Sequence, residues 1–120
     1  MCLKYFRKKP IIPANPGLLK SPQDFRDIPF SAVKKRFTPL PESYSIPYEL
    51  DIKSQDNKPI CVGCSGTLIK EFLERREGNF VNFSEDWLYK ECKKIDNYSG
   101  EGTYFRIALK VLQKTGAMPY

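Results

Sequence analysis

Apolar side chains recur at helical spacing in three windows after Ile60, and nowhere before it. The first window runs from Cys61 to Arg76, where Val62, Leu68, Ile69, Phe72 and Leu73 form one face and Lys70, Glu71, Glu74, Arg75 and Arg76 fill the other. Gly78 stops it by accepting a left-handed backbone. The second opens at Ser84, whose hydroxyl caps free amides while Glu85 and Asp86 face the positive end of the dipole. Trp87, Leu88 and Cys92 turn inward, and the helix closes near Lys94. The third spans Thr103 to Thr115, with Phe105, Ala108, Leu109 and Leu112 as its stripe and Gly116 as its stop. "KIDNYSGEG" is the loop between the last two. Upstream, "TPLPESYSIPYELDIKSQDNKP" reads as loop with a short strand around "YELDI", residues 48 to 52. No internal repeat appears, which argues against a solenoid.

Charge and proline set the first third apart. Residues 1 to 36 carry nine Lys or Arg against Asp24 and Asp27, a net +7, whereas residues 37 to 120 carry eleven against twelve, a net −1. Five of the ten prolines (Pro10, Pro13, Pro16, Pro22, Pro29) fall in the same segment and block both helix and central strand. Residues 1–38 therefore read as an extended basic arm and residues 39–120 as the folded body. Such an arm can bind nucleic acid through phosphate contacts. The plainer reading is a solvated arm resting on the body through Ile11, Ile12, Leu18, Leu19, Phe25 and Phe30, since no aromatic and basic interleaving accompanies the charge.

A chain of 120 residues, 41% hydrophobic and 28% charged, suits one folded domain and is too apolar for wholesale disorder. No apolar run is long enough to span a membrane, and the first residues lack the apolar stretch of a signal peptide. Four cysteines at irregular spacing (Cys2, Cys61, Cys64, Cys92) do not make a disulfide framework. Reduced thiols in a cytoplasmic or virion-associated setting are the expectation.

Cys61 and Cys64, at the start of the first helix, admit three readings. A zinc site needs four N or S ligands, and without histidine only Cys2 and Cys92 are left to complete the pair. A Cys-x-x-Cys redox pair exploits the helix dipole, yet its usual fold places a βαβ sheet around the motif. The third reading makes Cys61 a lone nucleophile, because free amides at a helix start stabilise a thiolate, and leaves Cys64 as a small packing residue. Acyl transfer also requires donors aimed at an oxyanion, and Gln55 lies six residues before Cys61.

At this point the chain resembles a known family. "IKSQDNKPICVGCSG" is similar to the papain family's active-site segment, in which V-K-N-Q-G precedes the nucleophilic cysteine at the same separation. "RDIPFSAVKKRFTPLPESYSI" resembles the lead-in of bacterial and phage members. "NFSEDWLYKEC" is similar to the family's L-S-E/P-x-x-L-Y helix start. "GEGTYFRIALKVLQKTGAMPY" resembles the G-G/T-x-x-x-x-A-L-x-x-L-x-x-x-G segment before its Tyr-Pro-Tyr region. These four blocks cover residues 26 to 120 in the family's order. Asp56 stands where the pattern has glycine, Lys58 where it has the first cysteine of C-G-S-C, and Val62 where it has tryptophan.

The resemblance implies an α+β papain-like fold, of which this chain is the mainly α-helical N-terminal subdomain with an extended arm. It implies a thiol peptidase acting on protein or peptide substrates, with Cys61 as nucleophile, Gln55 and the Cys61 amide as oxyanion donors, and no metal or organic cofactor. The family's His and Asn lie about 130 to 150 residues beyond the cysteine, whereas 59 residues follow Cys61 and none is histidine. The expectation is a nucleophile-bearing half that is inactive alone, with the missing half or other protein chains docking on the arm and cleft side. The alternative is a catalytically inactive structural or binding module, for example in a virion, that keeps the helical half for its shape.

Overall fold

Three helices form close to where the periodicity predicts them. In the computed structural model, which describes residues 15–33 and 39–120, they are α1 (Cys61–Arg76), α2 (Glu85–Ile95) and α3 (Phe105–Lys114). Each packs on the other two. A two-stranded parallel sheet completes the helix-dominated domain, pairing β1 (Leu18–Leu19) with β2 (Thr103–Tyr104) in the register Leu18 to Thr103 and Leu19 to Tyr104. Val62 of α1, Leu88 and Cys92 of α2, and Ala108 and Val111 of α3 make the core, with Trp87, Phe105, Ile107 and Leu112 half-buried against it.

The inward face of α1 differs from the predicted one. Its buried residues are Val62, Gly63, Gly66, Thr67 and Glu71, whereas Ile69 and Leu73 are each 43% exposed. Close approach of α2 explains the turn of the helix. A Cβ on Gly63 would stand 2.5 Å from the Glu85 carbonyl oxygen, and one on Gly66 would stand 2.9 Å from Leu88 Cδ2. Small residues therefore face the neighbours and larger apolar ones turn outward. Glu71, assigned to the polar face by its charge, is 1% exposed because a lysine meets it inside.

The other elements follow the predicted chemistry with local shifts. Ser84 Oγ accepts from the Trp87 amide at 3.3 Å, giving α2 its cap, and the helix runs one residue past Lys94. α3 starts two residues later than predicted, because Thr103 and Tyr104 are drawn into the pairing with β1. Val111, not Leu109, faces the core, and Leu109 is 48% exposed.

Residues 48 to 52 form no strand; their backbone joins no sheet, Ile52 is almost wholly exposed, and Tyr48 packs edge-on to Phe72 at 5.7 Å between ring centres. Among the described residues, the arm's β1 is what pairs with β2, and Phe83 bridges Pro119.

Over its described residues, 15–33, the arm is fastened by polar contacts more than by the apolar packing considered from the sequence. Phe25 is 99% exposed and Leu18 59%. The Thr103 amide donates to the Gly17 carbonyl at 2.8 Å, and Arg106 pairs with Asp24 at 3.1 Å and Asp27 at 2.7 Å. Phe30–Ala32 add one 3₁₀ turn. The expectations for Cys2, Ile11, Ile12 and the basic stretches at 4–9 and 34–36 lie outside the described residues. Among those described, no helix is long and apolar enough to cross a membrane.

Candidate active site

The first amides of a helix have no intrahelical acceptor. Ile60, which precedes α1, has no side-chain group to cap them. The Cys61 amide is satisfied instead by the carbonyl of Pro16 in the arm, at 3.1 Å.

A tight turn brings Gln55 to the same oxygen. Ser54 Oγ bonds Asp56 Oδ1 at 2.7 Å and accepts from the Asp56 amide at 3.2 Å, while the Lys58 amide donates to the Gln55 carbonyl at 2.9 Å. Asp56 sits at φ +49°, in the left-handed region that aspartate tolerates better than most residues. So folded, the loop lets Gln55 Nε2 donate to the Lys58 carbonyl at 3.0 Å and to the Pro16 carbonyl at 3.3 Å. Gln55 and the Cys61 amide thus converge on one acceptor that belongs to neither of their elements.

The thiols differ in surroundings. Burial pushes the Cys61 thiol above its ordinary value, and the amides of Val62 and of Cys61 itself oppose that rise. Cys64 is pushed up to about 11, by burial first and then by the neighbouring Glu85 carboxylate. Cys92 is buried in the core and pushed up to about 11, again by burial first. All three are free thiols. Among the described residues, burial and the amides of Val62 and Cys61 are what act on the Cys61 thiol, and burial dominates.

Behind the site lies a buried ionic network that the sequence reading did not assemble. Lys53 Nζ pairs with Glu71 Oε1 at 2.8 Å and with Glu85 Oε2 at 3.4 Å, and donates to the Phe83 carbonyl at 2.8 Å. The Phe83 amide donates to Glu71 Oε1 at 2.7 Å. Residues 82 to 84 pair with the 118–120 segment through Ser84 N to Met118 O and Tyr120 N to Asn82 O, which brings the Tyr120 hydroxyl to within 2.6 Å of Glu85 Oε2. Burial alone would raise the Glu85 carboxyl, but the Tyr120 hydroxyl, the Glu85 amide and Lys53 hold it below its ordinary value. Lys53 is two residues before Gln55, so the network anchors the loop that carries the glutamine. The available signal was the run Gly63, Gly66, Thr67, Glu71, small residues at helical spacing that continue into a carboxylate.

No group of three or more His, Cys, Asp or Glu side chains able to hold a metal converges among the described residues. The comparisons with known proteins add no candidate. No protein-family model, curated protein or solved structure matches the chain.

Proposed function

We propose that this chain is the nucleophile-bearing half of a papain-like thiol peptidase, with Cys61 as nucleophile and Gln55 and the Cys61 amide as oxyanion donors. The observation that carries the reading is the convergence of Gln55 Nε2 and the Cys61 amide on one carbonyl oxygen, at 3.3 and 3.1 Å. A backbone amide and a side-chain amide aimed at one oxygen are the donor types that acyl transfer uses, with the contacts closing to about 2.7–3.1 Å on the oxyanion. In the proposed reaction the Cys61 thiolate attacks the substrate carbonyl carbon, and the two donors hold the oxyanion. Collapse expels the amine, which takes its proton from an imidazolium, and water then hydrolyses the thioester. The imidazole has to come from outside these 120 residues, because they contain no histidine.

The raised Cys61 thiol fits this division of labour, because a partner imidazole would be the group that draws off its proton. Cys64, higher still and beside Glu85, is a poorer nucleophile. Incubation of a chain whose Pro16 carbonyl is displaced from the two donors with an activated peptidyl thioester, with free imidazole as base, tests the assignment by intact mass. Acyl transfer concentrated on Cys61 and absent in Cys61→Ala is expected; equal transfer to Cys64 and Cys92 would defeat it.

A second reading draws on the same raised thiol. With burial dominating at Cys61 among the described residues and both donors already engaged, the domain also suits an inactive binding module that keeps the helical half for its shape. That reading expects Cys61 to be no more reactive than Cys64 or Cys92.

A further inference from the structure

We infer that the segment Asn15–Leu19 is an internal strap, seated with the Pro16 carbonyl between the Gln55 side-chain amide and the Cys61 backbone amide, that must lift before a substrate carbonyl can enter. The inference rests on the reading of those two groups as oxyanion donors. A substrate carbonyl and the Pro16 carbonyl would compete for the same pair of N–H groups, which are engaged at 3.3 and 3.1 Å.

The seat is built by the arm's own residues. Gly17 is buried at φ +100°, and a Cβ there would stand 1.9 Å from the Pro59 carbonyl oxygen, so only glycine lets the strap lie this close to the loop before α1. Asn15 Oδ1 accepts from the Gly17 amide at 3.0 Å, which fixes the turn that aims the Pro16 carbonyl. On the far side, β1 pairs with β2, and Arg106 holds Asp24 and Asp27.

These fastenings are weak beside the helical core. A pair of two-residue strands is marginal by itself, and exposed ion pairs contribute little and are screened by salt. The strap can therefore be displaced while the three helices stay packed.

Two variants loosen the strap by different means. Gly17→Val introduces the clash at Pro59, and Arg106→Gln removes the surface latch without touching the seat. Amide exchange at Cys61 and at the Gln55 side chain, followed by NMR in the full chain, reports whether the strap is seated. Labelling of Cys61 by a peptidyl vinyl sulfone, relative to Cys64 and Cys92 in the same molecule, reports whether the site is open. Both exchange and Cys61 labelling should rise about tenfold in Gly17→Val, the scale set by the loss of hydrogen bonds at the seat, and by less than that in Arg106→Gln, whose exposed latch contributes little.

Freely exchanging Cys61 and Gln55 amides in the wild-type chain would overturn the strap. So would selective Cys61 labelling that is equally fast before and after loosening, a result that leaves the peptidase reading intact and makes the Pro16 carbonyl a plain helix cap. Loosening without any preference for Cys61 in any variant would overturn the peptidase reading, and the strap's role with it.

Discussion

Lys53 Nζ lies 2.8 Å from Glu71 Oε1, with the two side chains only 8% and 1% exposed, so a loop cation and a mid-helix anion neutralise each other inside the domain. Removing one partner strands a charge out of water, which costs about 3 to 5 kcal/mol. Lys53→Met should lose that much in urea unfolding, and Lys53→Met combined with Glu71→Leu should recover only the part due to the stranded Glu71 charge, because the Phe83 amide then loses its acceptor. A single-variant loss no larger than that of an exposed ion pair would contradict the account.

Gly63→Ala separates helix propensity from packing. Alanine favours an isolated helix by about 1 kcal/mol over glycine. In this fold the added methyl meets the Glu85 carbonyl oxygen at 2.5 Å, and backbone cannot step aside as a side chain can. Overpacking of about 1 to 3 kcal/mol should win, lowering the melting temperature. Gly66→Ala should cost less, because its nearest neighbour is the flexible end of Leu88 at 2.9 Å.

These two sites also mark what could be read from sequence. The bounds of α1, the Ser84 cap of α2 and the core role of Cys92 follow from local chemistry: spacing, a hydroxyl before two acids, and a cysteine on the inward side. The inward face of α1 does not, because periodicity weighs apolarity whereas the helix contact selects smallness and buries a paired carboxylate. Likewise the six-residue separation of Gln55 and Cys61 suggests that the two groups lie together, and they share an acceptor. Pro16, 39 residues before Gln55, was invisible because strap and site meet only through tertiary structure.

The Glu85 and Tyr120 pair should give stability a signature at both ends of the pH scale. Glu85 is held below its ordinary value of 4.5, so its contribution is complete above that value and is lost as pH falls through the lower folded-state value. Tyr120 is pushed up from 10.0 to about 12, chiefly by its hydrogen bond to Glu85 and then by burial. Its contribution is complete below 10 and is lost as pH rises toward 12. The Tyr120→Phe unfolding profile should lack this alkaline loss and show a smaller acid one than the wild-type profile. Superimposable profiles would place the pair outside the energetics of folding.

Cys61 in this chain should behave as an ordinary, partly buried thiol. With its proton held above the ordinary value of 9.0, alkylation by iodoacetamide should climb about tenfold per pH unit from 7 to 9 without levelling off, as the thiolate fraction does. A plateau near neutral pH would reveal an activating group among these 120 residues and contradict the assignment of the base to a partner.

The most direct test of the proposed site is the rate at which a peptidyl thioester acylates Cys61 in chains that do or do not carry Gln55, compared in the Gly17→Val background so that both are open. The account predicts that Gln55→Ala slows Cys61 acylation by about 10²-fold or more, the usual effect of deleting one oxyanion donor, with Cys64 and Cys92 unaffected. An unchanged Cys61 rate would mean that Gln55 only braces its loop and that the two groups do not form an oxyanion site.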